Sequence, residues 1–394
     1  MGKPVILSAC RTPGGKFGGS LKNTSAPELG ALALAEAVRR SGISPENMGE
    51  VILGNGWQAG VGANPARIAL HRAGLPQSIP AFTVNKRCGS SLKAAMLGAD
   101  KIRLGDMVAV AAGGMESASN APYILPDSRW GYRMGEKKVL DALHKDGFHC
   151  PLADMLMGAT AEILVEEYAI SRKEQDEFSL NSHKKALAAI EGGLFAEEIV
   201  PVTLKDRKKG TILFDTDEIP RSDTTMETLG KLPVLFKEDG TITAASSSAL
   251  CDAGSACIIA DSDWAAAQGY TPLAEILGYA SGALDAVHMG LGPVVAMPKA
   301  LEKAGMALED MEIIEINEAF AAQILACHRE MKFPMEKLNP LGGAIALGHP
   351  IGATGGKILA TLTYALKHQK KEFGIVSACI GGGQGVAMVL KNLS

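Results

Sequence analysis

The chain has 394 residues, of which 47% are hydrophobic and 21% are charged, and its formal net charge is −4. That length suits two domains or one large α/β unit, and the composition is that of an ordinary globular protein. The small negative charge predicts no general affinity for nucleic acid or for an anionic membrane surface. No uninterrupted apolar run is long enough to span a bilayer.

Cysteine usage and the two ends of the sequence bear on location. Seven cysteines, an odd number without short regular spacing, argue against a disulfide framework and favour a reducing compartment. A strand-like Val-Ile-Leu run begins within a few residues of Met1, so we expect no signal or transit peptide. The final Asn-Leu-Ser is not a peroxisomal address, and we predict a cytoplasmic protein.

Helices alternate with short apolar strands in the first part of the chain. In order, the patterns predict a strand at 5–9, a helix at 27–40, strands at 50–53 and 82–85, a helix at 89–103 and a strand at 108–112. Such alternation predicts a mostly parallel sheet with helices on both faces.

The second half of the chain repeats this order. Its predicted elements are strands at 312–316 and 374–378 and a helix at about 352–368. One block aligns at a constant offset, in which Gly42, Glu46, Asn47 and Met48 match Gly305, Glu309, Asp310 and Met311. The repeat makes the strand ends at Gly113 and Cys379 equivalent, and it places Cys88 and the loop of His349 before equivalent helices. Two halves packed back to back would bring those helix starts together.

The segment between the halves, at about 117–249, breaks the pattern because it is rich in charge, methionine and turn signals. We predict helices at 159–168 and 172–192, and we interpret the basic cluster at 205–209 as a solvated hairpin. An insertion this long is usually a lid, a binding wall or an assembly arm. The predicted units are an N-terminal half at 1–117, completed by about 250–268, an inserted domain at 118–249 and a C-terminal half at 269–394.

Cys88 is the first candidate for chemistry. It opens a predicted helix, where free backbone N–H groups, the helix dipole and the charges of Lys86 and Arg87 would stabilise a thiolate. On local sequence alone, a nucleophile and a small buried residue at the helix start remain alternatives.

His349 and Cys379 lie together in the glycine-rich stretch 339–385. His349 precedes an apolar helix, and Cys379 ends a short strand ahead of a glycine-rich turn. Either residue alone would fit a structural role. Two thiols and one imidazole together suit acyl transfer, in which one thiolate carries the acyl group, the histidine activates it and the other thiol moves a proton to or from carbon.

Such chemistry also needs hydrogen-bond donors for a developing oxyanion or enolate. Asn317 is one candidate, because it opens the run N-E-A-F at the end of a predicted strand. The backbone amides of Cys88 and Gly381 are others.

Three further patterns indicate less. Residues 54–60 resemble a dinucleotide fingerprint with the wrong final spacing, and residues 352–357 lack the spacing and the hydroxyl of a phosphate-binding loop. His144, His149 and Cys150 could in principle hold a metal, but no second ligand pair accompanies them, and no metal site is predicted.

With Cys88 and the motifs N-E-A-F, G-H-P-I-G-A-T-G and C-I-G-G-G-Q-G, the chain resembles the thiolases over nearly its whole length. The resemblance implies an α/β fold of two similar βαβαβαββ halves in a five-layer α-β-α-β-α arrangement, with the inserted loop domain covering the active site. It implies tight homodimers, commonly paired into homotetramers. It also implies coenzyme A as substrate and product, with no permanently bound cofactor.

The resemblance assigns roles to the candidate residues. Cys88 resembles the acylated nucleophile, and His349 resembles its activator and a donor to the enolate oxygen. Cys379 resembles the acid/base that acts on the α-carbon of acetyl-CoA. Asn317 resembles the residue that orients a water in the same oxyanion hole as His349, and the N–H groups of Cys88 and Gly381 would form a second hole.

Other positions are similar to those at which thiolases bind their substrates. Arg221 and Ser248 match residues that hold the nucleotide and pantetheine parts of coenzyme A. Met157, Met289 and Phe320 match positions of the acyl pocket.

Three departures leave the subgroup open. Ser91 stands where many members have glycine, and residues 246–249 read S-S-S-A instead of N-A-S-G, both as in degradative 3-ketoacyl-CoA thiolases. Leu156 replaces the histidine of the H-M-G motif of short-chain enzymes. Residues 131–147, in contrast, resemble the tetramerisation loop of acetoacetyl-CoA thiolases.

We therefore expect an acetyl-CoA C-acetyltransferase, which reversibly condenses two acetyl-CoA to acetoacetyl-CoA and CoA through acyl-Cys88. One alternative is a degradative 3-ketoacyl-CoA thiolase that acts on longer chains in fatty acid β-oxidation. A catalytically silent acyl-CoA-binding relative is another. A condensing enzyme that uses acyl carrier protein is expected to lack the second thiol and the long insertion.

Overall fold

The computed structural model of the chain describes residues 2–206 and 210–394. Within them the strands are β1 (Pro4–Arg11), β2 (Gly15–Lys16), β3 (Glu50–Gly54), β4 (Ala81–Val84), β5 (Ala109–Ser117), β6 (Tyr123–Ile124), β7 (Leu140–Asp141), β8 (His149–Cys150), β9 (Met155–Leu156), β10 (Val202–Asp206), β11 (Gly210–Phe214), β12 (Cys251–Asp261), β13 (Ala274–Ala283), β14 (Ile313–Ile316), β15 (Phe373–Ile380) and β16 (Gln384–Asn392). The helices are α1 (Ala26–Ser41), α2 (Pro65–Arg72), α3 (Ser90–Arg103), α4 (Met157–Glu167), α5 (Arg172–Glu191), α6 (Met226–Gly230), α7 (Ser262–Ala267), α8 (Gly292–Ala304), α9 (Ala321–Met331), α10 (Ala344–Leu347) and α11 (Thr354–Gln369).

The main sheet is mixed. Across the described residues its ten strands follow the order β14-β15-β16-β13-β1-β12-β5-β3-β4, with β2 paired to β12. Only the pairs β3–β4, β3–β5 and β14–β15 of this described sheet are parallel. The prediction of a mostly parallel sheet is therefore wrong. Alternation of helices and strands identifies only those strands that are joined by a crossover helix. Strand β16 follows β15 through a tight turn and pairs with it antiparallel, so no helix in the sequence signals this pairing.

Two similar halves meet at the β1–β13 pair, where the register matches Val5 with Glu275 and Ile6 with Ala274. Helices α1 and α2 cover the outer face of the N-terminal strands, and α8 and α9 cover the outer face of the C-terminal strands. Helices α3 and α11 lie between the two groups of strands and share one apolar core with both. This is the five-layer arrangement that the resemblance to the thiolases implies.

The contact between α3 and α11 is unusually close because glycines lie at its centre. A Cβ at Gly355 would come within 2.5 Å of the backbone nitrogen of Leu92, and the Gly356 N–H donates to Ser91 Oγ at 2.8 Å. A Cβ at Gly114 would overlap the carbonyl oxygen of Gly352. The N-terminal ends of the two helices are therefore held side by side, as the internal repeat predicts.

The segment between β5 and β12 contains helices α4 to α6 and three two-stranded pairs, β6–β7, β8–β9 and β10–β11, among its described residues. Its two predicted helices are found within two residues of their expected ends. The basic cluster falls partly on residues 207–209, which lie outside the described residues. None of the described helices is long and apolar enough to cross a membrane.

Candidate active site

Cys88 lies between β4 and α3, in a short 3₁₀ turn at Arg87–Gly89. The backbone of Arg87 has a φ of 52°, which is uncommon for a residue with a side chain. The Arg87 guanidinium donates to the carbonyl oxygens of Asp146 and Gly147 in the insertion. These contacts fix the turn that presents the Cys88 sulfur.

His349 faces Cys88 at hydrogen-bonding distance. Its Nε2 lies 3.2 Å from Cys88 Sγ, and its Nδ1 lies 2.6 Å from Thr354 Oγ1 at the start of α11. When Nδ1 carries the proton and donates it to Thr354, Nε2 is left as an acceptor directed at the thiol. The sequence prediction that these two residues meet is confirmed, and Thr354 is a partner that the sequence reasoning did not identify.

The imidazole of His349 is neutral near pH 7. Burial lowers its pKa to about 3, and the positive charges of Lys357 and Arg87 act in the same direction. The backbone N–H of His349 donates to Ala249 O at 2.9 Å, which anchors the ring on the edge of the insertion. A neutral imidazole beside a thiol is suited to act as a general base.

The thiol of Cys88 is protonated in the resting site. Burial raises its pKa above the ordinary value, and this effect outweighs Arg87 and the backbone N–H groups of Gly381 and Cys88, which lower it. The sulfur packs against an apolar cluster that includes Trp57 and Ile351. The helix start and Arg87 act on the thiol in the direction that the sequence predicts, and in the free protein the cost of desolvating the charge opposes them.

The amide contacts of Cys88 matter for a second reason. The backbone N–H groups of Gly381 and of Cys88 itself both approach the sulfur. A carbonyl carbon bonded to this sulfur would place its oxygen near the same two donors. The geometry thus fits the sequence expectation of an oxyanion hole at these positions.

Cys379 is almost completely buried and is the second-to-last residue of β15. The predicted strand, 374–378, ends one residue before it. Burial raises the pKa of its thiol well above the ordinary value, and the nearby sulfur of Cys88 adds to the effect. The two thiols are therefore neighbours, and both are uncharged in the resting protein.

The predicted acyl-pocket residues gather around Cys379. Met289 and Phe320 belong to the same buried apolar cluster as its side chain, and Met157 packs at the edge of that cluster. Met157 also lies against the glycine turn, because a Cβ at Gly381 would be 3.1 Å from its sulfur. Leu156 is the last residue of β9, directly before Met157, which begins α4. Leu156 pairs with His149 and is partly buried.

Asn317 follows β14 directly and is 1% exposed. Its backbone N–H donates to Ser377 O at 3.0 Å, which places it beside the end of β15 that carries Cys379. Neither polar atom of its side chain has a hydrogen-bond partner among the described residues. A buried amide without a partner costs free energy, and such a group is available to a ligand or to water.

Arg221 lines a cavity of about 220 Å³ together with His183, Ser247 and Ala249. Ser248 is a neighbour of this lining, and its N–H donates to Ala319 O at 2.9 Å. The cavity is adjacent to the catalytic candidates, because Ala249 also accepts the His349 N–H. Arg221 is exposed, as a group that binds a phosphate from solvent should be.

Glu116 is a second residue that the sequence reasoning did not assign a role. Its buried carboxylate accepts N–H groups from Gly56 and Gly352 at 2.8 Å and from Trp57 at 3.2 Å. Burial raises its pKa to about 7 in spite of these bonds. It joins the loop after β3 to the turn that contains His349. The only sequence signal that could have drawn attention to it is its place in the run G-G-M-E-S at residues 113–117.

The cluster at His144, His149 and Cys150 is not arranged as a metal site. His149 Nε2 lies 3.3 Å from Asp154 Oδ1, and Cys150 is buried in β8. In the described part of the chain, no group of three or more His, Cys, Asp and Glu side chains is placed to hold a metal ion.

The pKa of Cys88 can be measured through its alkylation by iodoacetamide, followed by peptide mapping across pH. We expect the wild-type rate to rise with a midpoint above the ordinary thiol value of 9.0, because burial disfavours the thiolate. At pH 7 the His349→Ala variant should react about 10² times more slowly, the scale of losing a general base. His71→Ala, at an exposed histidine of α2, serves as the matched control. A wild-type midpoint below about 7.5, the range of activated cysteines, would contradict this assignment.

Comparisons with known proteins agree with this geometry. The family profile for the thiolase N-terminal domain matches residues 4–263, and that for the thiolase C-terminal domain matches residues 270–392. The acetyl-CoA acetyltransferase of Escherichia coli strain K12 is 49% identical over 391 residues, which cover 99% of each chain. The crystal structure of the Bacillus anthracis acetyl-CoA acetyltransferase superimposes with a TM-score of 0.97 at 43% identity, over 100% of this chain and 99% of that one. Human mitochondrial 3-ketoacyl-CoA thiolase has a TM-score of 0.96 at 39% identity, over 99% of each chain. The chain belongs to the thiolase family.

Proposed function

We propose that the protein is an acetyl-CoA C-acetyltransferase, which condenses two acetyl-CoA to acetoacetyl-CoA and CoA and also catalyses the reverse thiolysis. The observation that carries the proposal is the 3.2 Å contact between Cys88 Sγ and His349 Nε2, with the thiol of Cys379 beside it. The name shared by the relatives from E. coli and B. anthracis supports the choice of substrate. A catalytically silent binding protein would need none of these groups together.

In the first half-reaction, Cys88 attacks the thioester of acetyl-CoA. Neutral His349 takes the thiol proton through Nε2, so the nucleophile becomes a thiolate only as the bond forms. The amides of Cys88 and Gly381 stabilise the oxyanion of the tetrahedral intermediate. Collapse of the intermediate expels CoA as a thiolate, which takes from His349 the proton that came from Cys88, and leaves acetyl-Cys88 beside a neutral imidazole.

In the second half-reaction, Cys379 acts on a second acetyl-CoA. The Cys379 thiol first gives its proton to neutral His349, and the resulting thiolate removes a proton from the α-carbon. The enolate oxygen is stabilised by the protonated His349 and by a water that Asn317 orients. The α-carbon attacks the acetyl carbonyl and the bond to Cys88 breaks. The Cys88 sulfur takes the proton of His349, Cys379 keeps the proton from the α-carbon, and acetoacetyl-CoA leaves. Coenzyme A is thus a substrate and a product, and the thiolysis direction runs through the same steps in reverse.

The inserted segment 118–249 is proposed to cover this site and to bind coenzyme A. Its α4 starts at Met157 against Gly381, and its Arg221 lines the cavity beside His349's anchor at Ala249. Arg221 is proposed to hold the nucleotide part of CoA, and Ser248 the pantetheine. The halves 1–117 with 250–268, and 269–394, would then supply the two catalytic edges. The cytoplasmic location remains a prediction.

A longer-chain substrate is a second candidate, and Leu156 favours it. Leu156 puts apolar surface beside the acyl-pocket residue Met157. The resemblance to short-chain thiolases would place a histidine at this position. Each methylene buried there contributes up to about 0.8 kcal/mol. The pocket residues Met157 and Met289 have flexible side chains that can make room.

A homotetramer built from tight dimers is proposed from the loop at 131–147 and its neighbours. Trp130 is 86% exposed and Met134 is 91% exposed in the single chain, which is unusual for large apolar side chains. Such exposed apolar surface marks an association site.

Acylation can be separated from carbon–carbon bond formation with Cys379→Ala. The variant should still form an acetyl adduct on Cys88, seen by intact-protein mass spectrometry, because Cys379 acts only on the α-proton. Condensation should fall by roughly 10² or more, the scale of a lost acid/base group. Cys327→Ala, at another buried thiol, is the matched control. An adduct mapped to Cys379 instead of Cys88 would reverse the two assignments.

The chain-length preference can be read from kcat/KM for C4, C6 and C8 3-ketoacyl-CoA substrates. Wild type should cleave C4 and tolerate longer chains better than Leu156→His, with a shift of about tenfold for two methylenes. If wild type accepts only C4 and the substitution changes nothing, Leu156 does not set chain length.

The mass in solution tests the assembly. Light scattering should give four times the 41.1 kDa chain mass, and the double variant Trp130→Ser/Met134→Ser should give half of that. A wild-type dimer would refute the tetramer and leave the catalytic proposal intact.

A further inference from the structure

Lys357 is a buried cation on the first turn of α11, and its side chain is directed back at the turn that carries His349. The residue is 3% exposed. Its Nζ donates to the carbonyl oxygen of Leu347 and, at 3.3 Å, to that of Gly348. These are the two carbonyl groups immediately before His349, so the ammonium holds the peptide that enters the catalytic residue.

The ammonium of Lys357 belongs to a charged network inside the protein. Arg11 forms a bidentate pair with Asp217 at 2.8 and 2.9 Å, and its Nε donates to Glu198 Oε1 at 2.5 Å. Arg11 and Lys357 outweigh burial and hold the pKa of Asp217 below its ordinary value. Burial lowers the pKa of Lys357, and the nearby carboxylates of Asp217 and Glu198 oppose that shift and favour the charged ammonium.

The same turn is also fixed on its other side. A Cβ at Gly348 would overlap Ile219 and Cys251, and the Gly352 N–H donates to Glu116 Oε2 at 2.8 Å. Gly348 has a φ of 84°, a conformation that glycine adopts without strain. Backbone freedom at this glycine would let the turn move unless its carbonyl groups are held, and Lys357 is the group that holds them.

We propose that Lys357 is a positioning residue, which fixes the turn before His349 so that Nε2 stays within reach of the Cys88 thiol. The inference rests on the proposed function, in which His349 is the base. Lys357 does not touch the substrate. It acts through two carbonyl groups and through its charge, which also acts on Asp217 in the insertion.

The charge of Lys357 provides a readout that a purely structural role would not move. The charged and titratable groups around His349 are Cys88 and Arg87 from the 3₁₀ turn, Lys357 from α11, and Glu116 through Gly352. The positive charges of Lys357 and Arg87 both disfavour protonation of the His349 imidazole. Removing Lys357 therefore raises the pKa of His349 toward its ordinary value, and the acid limb of kcat/KM moves to higher pH.

The principal variant is Lys357→Met, which keeps the length of the side chain and removes the charge and the donors. We expect kcat/KM for acetoacetyl-CoA thiolysis to fall about tenfold or more at pH 8, because a displaced base loses its alignment. The loss should appear in kcat, with KM nearly unchanged. The acid limb of the kcat/KM profile should move to higher pH. Glu198 can take up a proton at Oε2, which has no partner among the described residues, and this offsets the missing charge.

Three further variants separate the contributions. Lys357→Arg keeps a cation and should recover most of the activity and the wild-type acid limb. Lys357→Gln keeps hydrogen-bond donors without the charge, so the acid limb of its kcat/KM profile should also move to higher pH. This variant tests the role of the charge if Lys357→Met fails to fold. Lys367→Met, the same change on the surface of α11 where Lys367 pairs with Glu197, should match wild type.

The proposal is overturned if folded Lys357→Met, or Lys357→Gln, keeps a kcat/KM within twofold of wild type and an unchanged pH profile. His349→Ala distinguishes this failure from a failure of the proposed function. If His349→Ala is inactive while the Lys357 variants match wild type, only the positioning role is wrong. If His349→Ala is fully active, the assignment of the base is wrong as well.

Discussion

The close approach of α3 and α11 between the two groups of strands is the constraint on which the site depends. Gly355 and Gly356 remove the side chains that would otherwise separate the helices, and Ser91 closes the gap with a hydrogen bond. Cys88, just before α3, and His349, a short turn before α11, are then brought into contact. A thiol and an imidazole that lie 261 positions apart in sequence thus come within 3.2 Å. Each half of the molecule contributes one of the two partners, so neither half alone contains the pair.

The second thiol reaches the same place by a different route. Strand β15 runs parallel to β14, so the carboxyl ends of both strands meet at one edge of the sheet. That edge holds Cys379 and Asn317, and the glycine turn after β15 directs the Gly381 amide at Cys88. Ligands of open α/β sheets commonly bind outside the carboxyl ends of the strands. The site therefore combines two helix starts with two strand ends, and the internal repeat explains why these four ends coincide.

Much of this arrangement could be predicted from the sequence, because it follows from local signals and from repetition. The periodicity located α3 and α11, and the repeat indicated that Cys88 and His349 share a region. The sheet direction could not be obtained in the same way. The antiparallel partners β12 and β16 are defined by long-range pairing, to which helix-strand alternation is insensitive. Thr354 and Lys357 were also missed, since a hydroxyl and a lysine on an apolar helix carry no signal until the turn that they hold is seen.

The protonation state of Cys88 depends on the balance of two opposed effects. At a helix start the backbone dipoles stabilise a thiolate by typically 0.3 to about 1 kcal/mol. Burying a charge in an apolar cluster costs several times more than that. Burial accordingly raises the pKa values of Cys88 and Cys379 and lowers that of His349, so all three groups are neutral before substrate binds.

A neutral resting site has a consequence for catalysis. The raised pKa values of both cysteines leave no thiolate to react with oxidants in the resting site. In the proposed reaction, proton transfer from Cys88 to His349 costs free energy until an acceptor for the negative charge arrives. In the proposed reaction the thioester supplies that acceptor, because the charge would move to its carbonyl oxygen beside the amides of Cys88 and Gly381. The dipoles that are too weak to ionise the thiol are thus directed at the atom where charge develops. In the proposed reaction these backbone groups act on the developing oxyanion more than on the resting thiol.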